Sequence, residues 1–123
     1  MALLMLITGA SFAQDTSFTV GYSAAGLIDE LQITWSEDLA SAVEAAGGTT
    51  IIVDSQNDIA KQISGIEDLL AQGINFLVIN PVDEAGILPA VEAANTAGVP
   101  GCGRLASSWH RLDATALHPA RPR

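Results

Sequence analysis

Three times between Ser17 and Pro100 a short β-branched or apolar run is followed by a longer stretch with helical apolar spacing. No other feature limits the fold as strongly. Phe18-Thr19-Val20-Gly21-Tyr22-Ser23 reads as the first strand. Asp29 to Ala46 then sets Leu31, Trp35, Leu39, Ala42, Val43 and Ala46 on one helical face, with Gly47-Gly48 as the stop. That pattern puts Trp35 in the core. Thr49-Thr50-Ile51-Ile52-Val53 is β-branched throughout, as expected of a strand buried on both faces. Asp54 to Asp58 is a turn, and Asp58 is placed to cap a helix carrying Ile59, Ile63, Ile66 and Leu70, which ends at Gly73.

The third unit repeats the plan. Phe76-Leu77-Val78-Ile79 is a strand and Asn80-Pro81-Val82-Asp83 a turn. Glu84 to Ala97 is a helix with Ile87, Leu88, Val91 and Ala94 inward and Gly98 as its end. Pro89 falls near the first turn, where a missing N–H costs little. Strands that alternate with helices of this length require a parallel sheet with right-handed crossovers. The fold class is therefore α/β: three βα units of a doubly wound parallel sheet, a Rossmann-like half-lobe that is incomplete.

Composition narrows the function. At 49% apolar, 123 residues can fill one core. The net charge of −9 would be repelled by a phosphate backbone, so no nucleic-acid partner is expected. A single Cys excludes an intrachain disulfide. Residues 1–100 hold 13 acids and one base, a net −12, whereas 101–123 hold four Arg and one Asp, a net +3. The reversal marks a boundary at Pro100. At the other end, Ala2 to Ala10 is a short apolar run followed by Ser11-Phe12-Ala13. This resembles the apolar core and small-residue cleavage site of an export signal over residues 1–13, without its positive start. Cleavage after Ala13 would leave Gln14 as the first residue, and the expected location is periplasmic.

Ligands of such sheets bind beyond the carboxyl ends of the strands, near the point where strand order reverses. The segments concerned are Ser23–Glu30, Asp54–Asp58 and Asn80–Asp83. They hold no G-x-G-x-x-G and no Walker-type loop, and no His precedes His110. No cofactor, metal or general base is expected, and the chain does not read as an enzyme. The Asn, Asp, Gln and Ser side chains present suit hydrogen bonding to neutral polyols.

The strings Asp54-Ser55-Gln56-Asn57-Asp58-Ile59-Ala60-Lys61-Gln62, Ile66 to Gly73, Ile79-Asn80-Pro81-Val82-Asp83, Pro89 to Asn95 and Ala97-Gly98-Val99-Pro100 carry a family likeness. From about Ser17 to Pro100 the chain resembles the periplasmic sugar-binding proteins of ABC importers, of the ribose- and galactose-binding type. The resemblance implies part of the N-terminal lobe (14–100) of a two-lobed receptor that closes on a monosaccharide and delivers it to a membrane permease. It points to Asn80, at the end of the third strand, as a sugar ligand. Asp29 is a ligand or a helix cap, and Ser23, ending the first strand, is a further candidate. Asp58 and Asp83 read as caps. The family's fourth apolar strand, ending in an Asp–Arg pair, is replaced by Gly101-Cys102-Gly103-Arg104-Leu105, so 101–123 reads as an aberrant, frameshift-like disordered tail. On that reading the chain does not function alone, and Phe76 to Ile79 is left as a bare sheet edge. The alternative is the effector-binding lobe of a LacI-like transcription regulator, which needs a basic helix-turn-helix ahead of the lobe.

Overall fold

The computed structural model describes residues 17–103. They form four parallel strands, β1 (Thr19–Ala24), β2 (Thr49–Asp54), β3 (Phe76–Ile79) and β4 (Gly101–Gly103), in the order β2-β1-β3-β4. Three helices connect them in turn: α1 (Glu30–Ala45), α2 (Ile59–Ala71) and α3 (Leu88–Thr96). From β1 the chain steps outward to β2, then returns across β1 to β3. The order therefore reverses between β1 and β3, as in doubly wound sheets.

The register assigns the two faces. Gly21 pairs with Ile51 and Leu77, and Ser23 with Val53 and Ile79; these side chains look toward α2 and α3. There they meet Ile66, Leu69, Ile87, Ala90, Val91 and Ala94 in the main core. Gly21 is needed for that approach, because a Cβ there would lie 2.7 Å from Ile74 Cδ1. The opposite face presents Val20, Tyr22, Ile52, Phe76 and Val78 and carries α1, which packs chiefly on β2 and β1. All three helices end on a left-handed glycine, Gly47, Gly73 or Gly98 (φ +86°, +77° and +71°), as the sequence predicts.

Four expectations change. β2 lies at the sheet edge rather than between neighbours, and Ile52 is 37% exposed. β-branched residues favour the pleated backbone on an edge as well as at the centre, so composition did not separate the two. The stripe of α1 that packs inward contains Ser36 and Val43, while Leu31 and Trp35 are 66% and 59% exposed. Ser36 is tolerated there because its hydroxyl donates to the Ile33 carbonyl at 2.7 Å. Trp35 is thus not a core residue. The third helix begins at Leu88, four residues later than expected, after a turn that runs from Asp83, and Leu88 itself, expected inward, is 42% exposed.

The fourth change concerns the region past Pro100. The sequence shows no strand there, yet β4 pairs in parallel with β3, matching Leu77 with Gly101 and Ile79 with Gly103. The Leu77 N–H donates to the Pro100 carbonyl at 3.0 Å. Strand pairing is made by backbone groups, so glycines can take part without any apolar run. β3 is consequently interior, and β2 and β4 are the edges. The signal-like segment 1–13 and the tail from residue 104 lie outside the described residues.

Candidate functional site

The carboxyl ends of β1 and β3 meet at the reversal point, and polar side chains from three elements gather there. Asn80 follows β3 directly. Its backbone N–H donates to the Ser23 carbonyl at 2.9 Å, fixing it beside the end of β1. Its side-chain Nδ2 donates to Gln32 Oε1, one turn into α1, at 2.9 Å. The Asn80 side chain is half-buried, so the amide is oriented by protein and still reaches solvent.

Asp29 is the N-cap of α1. It is extended (φ −124°, ψ 157°), and its Oδ1 accepts from the Gln32 N–H at 2.8 Å. The cap therefore anchors the residue that in turn holds Asn80. Ser23 differs from its expected role. It is fully buried on the α2 side, and its hydroxyl accepts from Gln62 Nε2 at 3.2 Å, so it does not present that group to the crevice. The alternation of side chains along β1 turns Ser23 inward while its carbonyl serves Asn80.

The flanking loops are tied to this point. Asp54 Oδ1 accepts from the N–H groups of Leu27 (3.2 Å) and Gln56 (2.9 Å), joining the first loop to the second. The Asn57 N–H donates to the Ala25 carbonyl at 2.6 Å. Asp58 caps α2, accepting from the Ala60 and Lys61 N–H groups, as the sequence predicts. Asp83 accepts from the Gly86 N–H and closes the turn ahead of α3 rather than capping the helix itself.

Two participants escape a reading based on motifs. Gln32 lies between apolar positions of α1 without any flag. Gln62 falls on the core stripe of α2 among Ile59, Ile63 and Ile66, and a polar residue on an apolar stripe is a legible signal that periodicity alone does not weigh. Behind Asn80, Tyr22 is 3% exposed, and its hydroxyl lies near the Asn80 side chain without meeting hydrogen-bond geometry. Burial pushes the phenol above its usual pKa, and the neighbouring Asn80 amide offsets this only in part.

A cavity of about 610 Å³ opens on the α1 side of β3 and β4, between Trp35 and Leu39 on one wall and Val78 and Cys102 on the other. It exists because α1 covers β1 and β2 and no described helix crosses β3 and β4 on that face. Its walls are mostly apolar, and only Asn80 joins it to the polar cluster. Among the described residues no group of three or more His, Cys, Asp or Glu side chains is placed to hold a metal.

Fold and polar cluster together define a doubly wound α/β lobe with amides and a capping carboxylate gathered at its strand reversal, the place where sheets of this kind take their ligands. The family model for the periplasmic binding protein domain matches residues 20–101, well over half of the chain, and the chain belongs to that family. The ribose import binding protein of Bacillus subtilis (strain 168) is 42% identical over 83 residues, which make up 68% of this chain and 27% of that protein. An ABC transporter solute-binding protein from Mycobacterium smegmatis, solved with bound glycerol, superposes with a TM-score of 0.69 at 32% identity, covering 71% of this chain and 30% of that one. A galactofuranose-binding protein superposes with a TM-score of 0.66 at 29% identity, covering 70% and 29%. The chain spans less than a third of the length of each of these relatives.

Proposed function

We propose that this chain carries one wall of a monosaccharide site, within the N-terminal lobe of a receptor that serves an ABC importer. The observation that carries the reading is the Asn80 amide, held at the strand reversal by Gln32 and by the Ser23 backbone in a family whose similar members are named for the import or binding of sugars. Amides both donate and accept, which matches a sugar hydroxyl that does the same. Asn80 is the direct ligand. Asp29 contributes through its cap on Gln32 and through a carboxylate at the crevice rim, since a charged acceptor binds a hydroxyl strongly. Ser23 acts from behind, through its carbonyl and its bond to Gln62.

The reaction is binding and release, with no bond made or broken. The crevice supplies hydrogen-bonding groups and no nucleophile–base pair, which supports a receptor over an enzyme. The similar proteins reported above are all named as binding proteins, one for ribose import and one for an ABC transporter, which favours this reading over a LacI-like effector lobe. Residues 1–13 direct export, so the mature chain begins at Gln14 and works outside the cytoplasm, handing its ligand to a membrane permease. No described helix is long and apolar enough to cross a membrane.

The test is saturation-transfer NMR on the full chain with D-ribose and D-galactose. Asn80→Ala should abolish the sugar signal and leave the thermal melt within a few degrees of the parent. An Asn80→Ala chain with an undiminished signal would place the ligand elsewhere.

A further inference from the structure

Gln62 lies in the first turns of α2, fully buried among apolar side chains, yet its amide reaches three places at once. Nε2 donates to Ser23 Oγ at 3.2 Å and to the Asn80 carbonyl at 2.9 Å, and Oε1 accepts from the Val82 N–H at 2.8 Å. Chemistry fixes the orientation. The Val82 N–H can only donate and the Asn80 carbonyl can only accept, so a flipped amide would oppose like poles at both. Both amide hydrogens and the carbonyl are satisfied, which a buried polar side chain requires.

Core filling does not account for a glutamine here. Ile66 and Leu69 fill the same helix face without polar atoms, and a Leu or Met would occupy the volume without a desolvation cost. What the amide adds is a fixed height for the Asn80–Val82 segment relative to the end of β1. We propose that Gln62 is the positioning residue of the crevice: it clamps the backbone on both sides of Pro81, so that the Asn80 side chain meets Gln32 and the ligand already oriented. A ligand group ordered before binding loses less entropy when the ligand arrives. This inference rests on the solute-binding reading above, and its consequences separate from that reading as follows.

Two substitutions in the full chain distinguish positioning from space filling. Gln62→Leu keeps the volume and removes every hydrogen bond. Gln62→Glu, protonated as full burial requires, keeps an acceptor for Val82 and one O–H donor for the Asn80 carbonyl. If Gln62 merely fills space, Leu is the better substitute, because Glu brings polar atoms that must be desolvated. If it positions the loop, the order reverses: the Val82 amide exchanges about tenfold faster in Gln62→Leu and regains protection in Gln62→Glu, the size expected for losing and restoring one hydrogen bond. In parallel, the D-ribose-induced shift of the Asn80 side-chain amide weakens about tenfold in Gln62→Leu. Hydrogen exchange and ribose titration, both followed by NMR, read these, with Gln62→Met in reserve should the Leu variant not fold. Unchanged Val82 exchange and unchanged ribose response in Gln62→Leu would overturn the proposal. A parent chain that ignores ribose while Val82 behaves as stated would sink the solute-binding reading and leave the positioning intact.

Discussion

Gly65 offers a case in which local propensity and packing predict opposite signs. It lies mid-α2, where Ala is favoured over Gly by about 1 kcal/mol. A Cβ there, however, would stand 2.6 Å from Val53 Cγ1 on β2. Carbon atoms pack at about 3.5–4.0 Å, so about 1 Å must be found by moving the helix or rotating a valine whose branched Cβ is stiff at χ1. Overpacking of this kind costs about 1–3 kcal/mol. Set against the propensity gain, Gly65→Ala should destabilise by about 1 kcal/mol, or about 4–8 °C in melting temperature for a domain of this size. In a Val53→Ala background the obstacle is gone, and the same substitution should be neutral or stabilising by up to about 1 kcal/mol. Urea unfolding of the four chains in the cycle reads the reversal directly. Because α2 also carries Gln62, the single Gly65→Ala change should loosen the Asn80–Val82 loop as well. Stabilisation by Gly65→Ala in the parent background would refute the close approach of α2 to β2.

Tyr22→Phe should be neutral or stabilising by about 1 kcal/mol near neutral pH, since it removes a buried hydroxyl without a partner. The raised pKa of Tyr22 means that its contribution to stability is whole below about pH 10 and is lost as pH climbs through the folded value. Alkaline melts should therefore show a fall in the parent that is reduced in Tyr22→Phe. Asp29→Ala should cost about 1 kcal/mol of stability through the lost cap and also weaken the sugar response; a melt unchanged by the substitution would contradict the cap. Export in a bacterial host should yield a chain starting at Gln14, and N-terminal sequencing that still reads Leu3 would contradict the signal reading.

The order of strands and helices was legible because each unit carries a clear change of period and a terminal glycine. The cap at Asp58 follows from residue type and place, whereas Asp29 stands open in the sequence between ligand and cap, and its bond to the Gln32 N–H identifies the cap. The faces were less legible. Leu31 and Trp35 look like core from spacing, but which arc of α1 is covered depends on where α1 lands on the sheet, and it lands on β1 and β2. Glycine-rich β4 was invisible because its pairing is purely backbone. The placement of Asn80 at the carboxyl end of β3 was legible from its position after a strand. Ser23 was misjudged because its residue type suits a ligand while the alternation of β1 turns it inward. The contribution of Gln32 depends on a contact across 48 positions of sequence, beyond the reach of local pattern. Gln62, by contrast, is marked locally by its place on an apolar stripe, and only its partners, 18, 20 and 39 positions away, are hidden.

The proposed site requires sugar to bind at the strand reversal and not in the apolar cavity beside it. Residue-resolved NMR of the isotopically labelled chain, titrated with D-ribose, tests this most directly. One wall alone cannot enclose a ligand, so binding should be weak and saturate only at millimolar sugar, with shifts confined to the segments around Asp29–Gln32 and Asn80–Asp83. Micromolar affinity, or shifts centred on Trp35, Val78 and Cys102, would contradict it.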